Sequence, residues 1–339
     1  MEFLYEYGLF LAKALTFVIA IGAIIALIAG AAHKPKPKRG EIELDDISEQ
    51  LDTFKESFLQ GTLNKDALKK HNKEQKRIAK ESEDKEKSKL YVLDFNGSMD
   101  AHEVSELREE ITAILTIANP EKDKVLLRLE SGGGVVHGYG LAASQLQRIK
   151  DAGINLTVCV DKVAASGGYM MACVADKLIS APFAIIGSIG VIAQIPNFNK
   201  ILKKNDIDFE QITAGEFKRT LTIFGENTDK AREKFSDEIE ETHVLFKNFI
   251  NEQRPSLDLP LVATGEHWFG TAALEKGLVD ELSTSDDVLL KYNIENQIYK
   301  VKFTIKKPLS EKFAIGLSSS VERIFVSLYS KVRASFISK

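Results

Sequence analysis

Hydrophobic and polar residues follow distinct patterns in successive parts of the chain. From Ala14 to Ala32 there is no charged residue, and the run reads ALTFVIAIGAIIALIAGAA. Leu9 to Ala12 extend it, and Lys13 can snorkel, so the segment reaches across about 30 Å of hydrocarbon. A cleaved signal peptide is the rival reading, because Ala29-Gly30-Ala31 resembles a cleavage site. Against it, Glu2 and Glu6 stand where a basic cluster belongs. The apolar core also exceeds the ~7–15 residues of a signal peptide. The pattern predicts a retained N-terminal transmembrane helix over 1–32. Residues 33–88 are dense in Lys, Glu and Asp and predict a charged helical or linker arm, with helix possible over Ile47 to Leu59.

From Leu90 the periodicity changes. Leu90–Phe95, Lys124–Leu129 and Leu156–Val160 predict strands, while Val104, Leu107, Ile111, Ile114 and Leu115 recur at helical spacing and Val136–Ile149 predicts a second helix. Strands alternating with helices imply an α/β fold with parallel pairing through helical crossovers. The uncharged run Leu178 to Ile195 has the length of a membrane span. Pro182, Gly187, Ser188 and Gly190 interrupt it and its flanks look soluble, so it predicts a buried strand, turn and strand.

Composition narrows the classes. A chain of 339 residues, 44% hydrophobic and 28% charged, has room for a sizeable core. A net charge of -4 gives no reason to expect nucleic acid. Cys159 and Cys173 sit among apolar neighbours and read as inert core thiols. His102 to Glu106 lacks the second histidine of a zinc helix, no phosphate-binding glycine loop occurs, and neither metal nor cofactor is expected. Ser82-Glu83-Asp84-Lys85 has the SxxK spacing, but without its partner motifs it reads as chance.

Parallel sheets present their chemistry at the carboxyl ends of strands. Two glycine-rich loops fall there. Ser131-Gly132-Gly133-Gly134 follows the second predicted strand and reads as half an oxyanion hole or as a flexible turn. Asp161 to Tyr169 follows the third, with Ser166 among small residues and ahead of two glycines. Ser166 is either a nucleophile or a helix cap. A nucleophilic serine needs a base. None of the six histidines stands in a triad motif, and His137 is the nearest candidate. The other option is a lysine neutralised by burial. Lys162 is close in sequence to Ser166 but is placed for exposure, and residue patterns select no particular lysine.

VDKVAASGGYMMA resembles the serine motif of the signal peptide peptidase A family, peptidase family S49. LRLESGGG resembles its oxyanion segment, and Ala214 to Lys218 its lysine motif, 52 residues beyond Ser166. Ile186 to Val191 is similar to a segment whose serine bonds the lysine. Thr264 to Ala272 with Lys276 to Asp280 is similar to the closing segment. The resemblance runs from about Leu90 to Leu282. It implies Ser166 as nucleophile, Lys218 as general base and Ser188 as the group orienting the lysine. Gly134 and the N–H of Gly167 would form the oxyanion hole, with Gly133 as a further donor. It implies a ClpP/crotonase-like fold of repeated ββα units with a parallel sheet, a catalytic domain over 89–286 and a C-terminal extension over 287–339. There Val321, Ile324, Phe325, Leu328 and Val332 suit an amphipathic helix.

The function implied is that of a membrane-anchored serine endopeptidase with a Ser–Lys dyad. It would cleave peptides or membrane-associated proteins, including signal-peptide-like substrates, as a homo-oligomer in the bilayer of a bacterial inner membrane. Lys34, Lys36, Lys38 and Arg39 favour a cytoplasmic catalytic side, whereas the family resemblance favours the outside. Two departures stand out. Gly132 replaces the family's proline, which predicts a looser oxyanion loop, and Phe224 to Asn227 replaces a proline-containing segment after the lysine. The alternatives are a crotonase-fold acyl-CoA enzyme using a carboxylate such as Glu130, or a non-catalytic membrane scaffold.

Overall fold

The structure is a computed structural model that describes residues 2–32, 40–82 and 87–305. It divides into two compact units, Met1–Glu41 with Ile305–Lys339 and Ile42–Thr304. In the first, α1 (Glu2–Ala32) is continuous helix. Among the described residues no helix is long and apolar enough to cross a membrane. The span expected over Ala14–Ala32 includes side chains, 19 and 22–32, that lie outside the description. So do the basic cluster in 33–39, residues 83–86 and the helical pattern within 306–339.

In the second unit the chain runs through β1 (Glu41–Asp46), α2 (Ile47–Thr62), α3 (Lys65–Ser82), β2 (Ser88–Gly97), α4 (Val104–Ile117), β3 (Lys124–Ser131), α5 (Val136–Asp151) and β4 (Asn155–Val160). It continues as β5 (Val163–Ala165), α6 (Gly167–Ala172), β6 (Lys177–Ser180), β7 (Ile185–Gly187), α7 (Asn199–Lys204) and α8 (Asp229–Gln253). The last elements are α9 (Leu259–Val262), β8 (His267–Phe269), α10 (Gly270–Glu275), β9 (Glu281–Leu282), α11 (Ser285–Tyr292) and β10 (Asn296–Thr304). The main sheet has the order β1-β10-β2-β3-β4-β6-β9, and β5, β7 and β8 branch from β3. Pairing from β10 through β9 is parallel, whereas β7 and β8 are antiparallel.

Side-chain alternation gives the central strands β2, β3 and β4 two buried faces. Tyr91, Leu93 and Phe95 of β2 join Val125, Leu127 and Leu129 of β3 in the larger core, against Leu107 and Ile111 of α4 and Leu146 and Ile149 of α5. Leu90, Val92, Leu126 and Cys159 point the other way, into a smaller core with Val288 and Leu289 of α11. A sheet covered on both faces needs near-continuous apolar strands, which is why these segments were legible in the sequence.

Two boundaries move. Residues 287–304, set beyond the catalytic domain by the sequence, contain most of α11 and all of β10, which pairs with β2 in the sheet. Within the expected arm, Glu41–Asp46 forms the edge strand beside β10. The run Leu178–Ile195 gives β6, a turn and β7, but its tail leaves the core: Ile192 is 79% exposed. Beyond Gly187 the Ser188 N–H donates to the Glu266 carbonyl and the Ile189 carbonyl accepts the Gly265 N–H, after which residues Ile192 to Ile195 are exposed.

Candidate active site

Strands β3 and β5 pair at Ser131 and Ala164, and each then delivers one glycine-rich loop. The loops meet closely. A Cβ on Gly133, whose φ is +83°, would lie 2.7 Å from the Gly167 nitrogen and 2.8 Å from Ser166 Cβ. A Cβ on Gly168 would lie 2.5 Å from the Ser131 carbonyl oxygen, and one on Gly134 only 1.9 Å from that of Met99. Glycine is therefore required for the two loops to touch. The Gly133 N–H donates to Ser131 Oγ at 3.0 Å, which takes it out of the set of free donors. The N–H groups of Gly134 and Gly167 have no backbone acceptor among the described residues. Gly167 opens α6, whose first-turn amides lack intrahelical partners.

Ser166 has φ 52° and ψ −119° and makes no side-chain cap bond. Ser166 holds the N-cap position of α6 without capping it through its side chain, and this partly exposed residue stands on a strained backbone. Such conformations cost of order 1–3 kcal/mol and persist where surrounding structure holds them. Here the Ser166 N–H donates to the Gly187 carbonyl at 2.8 Å, and the Ser166 carbonyl accepts from Met170 N–H at 3.0 Å. Ala165 and Gly187 are paired in β5 and β7, so Ser166 and Ser188 leave neighbouring strands side by side. Ser188 also has φ 52°, and its N–H donates to the Glu266 carbonyl at 2.7 Å.

Lys218 is not brought into this cluster. It sits exposed in a turn after Gly215, whose carbonyl accepts the Lys218 N–H at 3.2 Å. Glu216 pairs with Lys230, whose ammonium lies 5.6 Å from the Phe217 ring centroid. The burial expected of a neutral lysine is not supplied by the described residues. His137 is exposed as well. His102 Nδ1 lies 2.9 Å from Ser98 Oγ and 3.0 Å from Asp100 Oδ1, but on the surface. Hydrogen bonding to Asp100 raises the His102 pKa, and the same contact holds Asp100 at about 2.

The carboxylate alternative fails on strand geometry. Glu130 alternates with Leu129 and Ser131, so it faces away from the glycine loops and pairs with exposed Lys162 at 2.9 Å. Both cysteines are buried and free, and burial pushes each thiol up to about 12. One residue at the site was not singled out from the sequence: Tyr139, fully buried beneath both loops. As an aromatic near the start of a helix it carries no local signal.

A strained serine with unhindered neighbouring amides, on a mostly parallel α/β sheet, has the build of a serine hydrolase. The chain belongs to peptidase family S49. The model of the S49 N-terminal region matches residues 2–146 and that of peptidase family S49 matches residues 148–299. It is 49% identical to "Probable protease SohB" of Haemophilus influenzae, with 99% of each chain covered. It is 50% identical to "Probable protease SohB" of Buchnera aphidicola subsp. Acyrthosiphon pisum, covering 97% of this chain and 98% of the relative. The protein is thus a serine-type peptidase. Among solved structures, a membrane-bound stomatin-specific protease aligns with TM-score 0.40 and 16% identity, covering 61% of this chain and 85% of that one.

Proposed function

We propose that the protein is a membrane-anchored endopeptidase with a Ser166–Lys218 dyad on a ClpP-like fold. The observation that supports this best is the strained Ser166 backbone, clamped by β7 and flanked by the amides of Gly134 and Gly167, which have no backbone acceptor among the described residues. In the reaction, uncharged Lys218 takes the proton from Ser166 Oγ as the oxygen attacks the scissile carbonyl carbon. The carbonyl oxygen becomes an oxyanion between the Gly134 and Gly167 N–H groups. The carbon–nitrogen bond then breaks, and the lysine returns the proton to the leaving amine. Water, activated by the same lysine, hydrolyses the acyl-enzyme. Ser188 orients the lysine amine.

Lys218 is exposed in the single chain, so the dyad closes in a homo-oligomer in which a second copy covers the segment around it, residues 198–224. The apolar surface there supports this: Ile212 is 95% exposed, and Phe198, Phe209 and Phe224 are all open to solvent. The uncharged run within α1 serves as a single-pass anchor in a bacterial inner membrane, and the basic residues after it hold the catalytic unit in the cytoplasm. The substrates are peptides or protein segments released in or beside the bilayer, signal-peptide-like segments among them.

A fluorophosphonate probe tests the reading on the detergent-solubilised full chain. Mass spectrometry is expected to find the phosphonyl group on Ser166. Ser166→Ala and Lys218→Ala should go unlabelled, with thermal unfolding showing each variant folded. Labelling that survives in Ser166→Ala, or falls on another residue, sinks the assignment.

A further inference from the structure

Behind the two glycine loops lies a buried run of hydrogen bonds that the Ser–Lys chemistry does not use. The Gly133 N–H donates to Ser131 Oγ at 3.0 Å. Ser131 Oγ lies 2.5 Å from Tyr139 Oη, and Tyr139 Oη donates to the Ser98 carbonyl at 2.7 Å. The tyrosine has one hydroxyl proton, given to Ser98, so the serine must donate to the tyrosine. Every proton then has one acceptor and the run has one direction: Gly133, Ser131, Tyr139, Ser98. Ser131 is 2% exposed and Tyr139 0%, so water does not compete.

The Tyr139 ring reaches the other loop. A Cβ on Gly167 would lie 2.4 Å from Tyr139 Cγ, so the Gly167 backbone rests directly on the ring. A Cβ on Gly97 would lie 2.5 Å from Tyr139 Oη, which closes the space behind the hydroxyl. Phe95 packs edge-on to the ring at 6.4 Å. Burial pushes the phenol upward, so it stays a protonated donor at working pH.

We propose that Tyr139 is the positioning residue of the oxyanion hole. Its hydroxyl holds the 132–134 loop through Ser131, and its ring seats Gly167, so the Gly134 and Gly167 amides keep a set separation before substrate arrives. The inference rests on the oxyanion role given to those amides above. It also removes a difficulty raised by the sequence. A loop with Gly132 in place of the family's proline has little stiffness of its own, and the buried relay supplies it.

Tyr139→Phe keeps the ring and deletes only the relay. Loosening a preorganised donor by a fraction of an ångström is expected to slow Ser166 labelling by fluorophosphonate about 10–100-fold. On a reporter peptide the loss should fall on kcat, with KM nearly unchanged and the midpoint of the pH–rate profile unmoved, since the base is untouched. Ser131→Ala breaks the same run from its other end and should give the same loss. The double variant should be no slower than the slower single. Denaturation curves at the assay temperature must show each variant folded, and Ser131→Ala carries the test if Tyr139→Phe does not fold. The inference is overturned if both singles label at the full rate, if KM rises with kcat intact, or if the two losses multiply. Failure of the unaltered chain to label overturns the Ser166 assignment itself, a result distinct from these.

Discussion

Two adjacent glycines offer the sharpest check on how the active-site loops meet. At Gly133, φ is +83°, and a methyl group would meet the Ala165 carbonyl oxygen and the Gly167 nitrogen at 2.7 Å each. Both are backbone atoms, so neither can rotate away. The left-handed backbone costs an L-residue about 1–2 kcal/mol. Overpacking adds about 1–3 kcal/mol. Gly133→Ala is therefore expected to lose roughly 2–5 kcal/mol, a large part of the ~5–15 kcal/mol available to a folded domain. If the loops part to relieve the contact, they move by more than half an ångström. Displacement near 1 Å can lower a rate about a hundredfold. Next door, Gly132 has nothing within 4 Å of its would-be Cβ and no left-handed φ. Gly132→Ala should therefore be neutral or stabilising by about 0.4–1 kcal/mol, through a less flexible unfolded chain. Urea unfolding of both variants, with fluorophosphonate labelling under native conditions, reads the contrast. Equal tolerance of the two substitutions, in stability and in labelling rate, would refute the packing of the 132–134 loop on Ser166.

Ser166→Gly should be about 1 kcal/mol more stable than Ser166→Ala in thermal unfolding, because glycine relieves the φ of 52° and alanine does not, while both remain unlabelled. An alanine variant equal to or above the glycine variant would show that the backbone there is not strained. Glu110, 6% exposed on α4, accepts the Phe303 N–H of β10 at 2.9 Å, and burial raises its pKa from 4.5 to about 7. Glu106 and Asp94 push the same way and Lys302 opposes them. Between those two values the native state binds more protons than the unfolded one. Its contribution to stability thus falls as pH rises from 4.5 to about 7, by on the order of 3 kcal/mol, and is level above. Glu110→Gln keeps an acceptor for Phe303 and should lose this slope, gaining stability over the parent at pH 8. Parallel urea midpoints for parent and variant at pH 5 and pH 8 would contradict it.

Local order carried much of the architecture. β2, β3 and β4 were readable because both faces of each are buried, and α4 showed its apolar stripe at helical spacing. Ser166 stood out by its small neighbours, and the pairing of a glycine loop with each strand end followed from the α/β pattern. These are properties of residues within a few positions of one another. What needed the tertiary structure joins distant segments. β5, β7 and β8 have three residues each, too short for a periodic signal, yet their pairing sets the φ of Ser166 and places Ser188 beside it. β10 meets β2 across more than two hundred residues, which is why the domain boundary drawn at 286 fell short. Glu130 and Ser131 are sequence neighbours on opposite faces, and only the sheet showed which face held the loops. Tyr139 has no motif because its role depends on three backbone segments converging on one ring and its hydroxyl. Lys218 marks the converse: only the family resemblance of residues 214–218 pointed to it, and its exposure in a single chain is a property of the fold. A pattern of side chains records what each segment must bury, whereas the pairing of faces decides which groups are close enough to react.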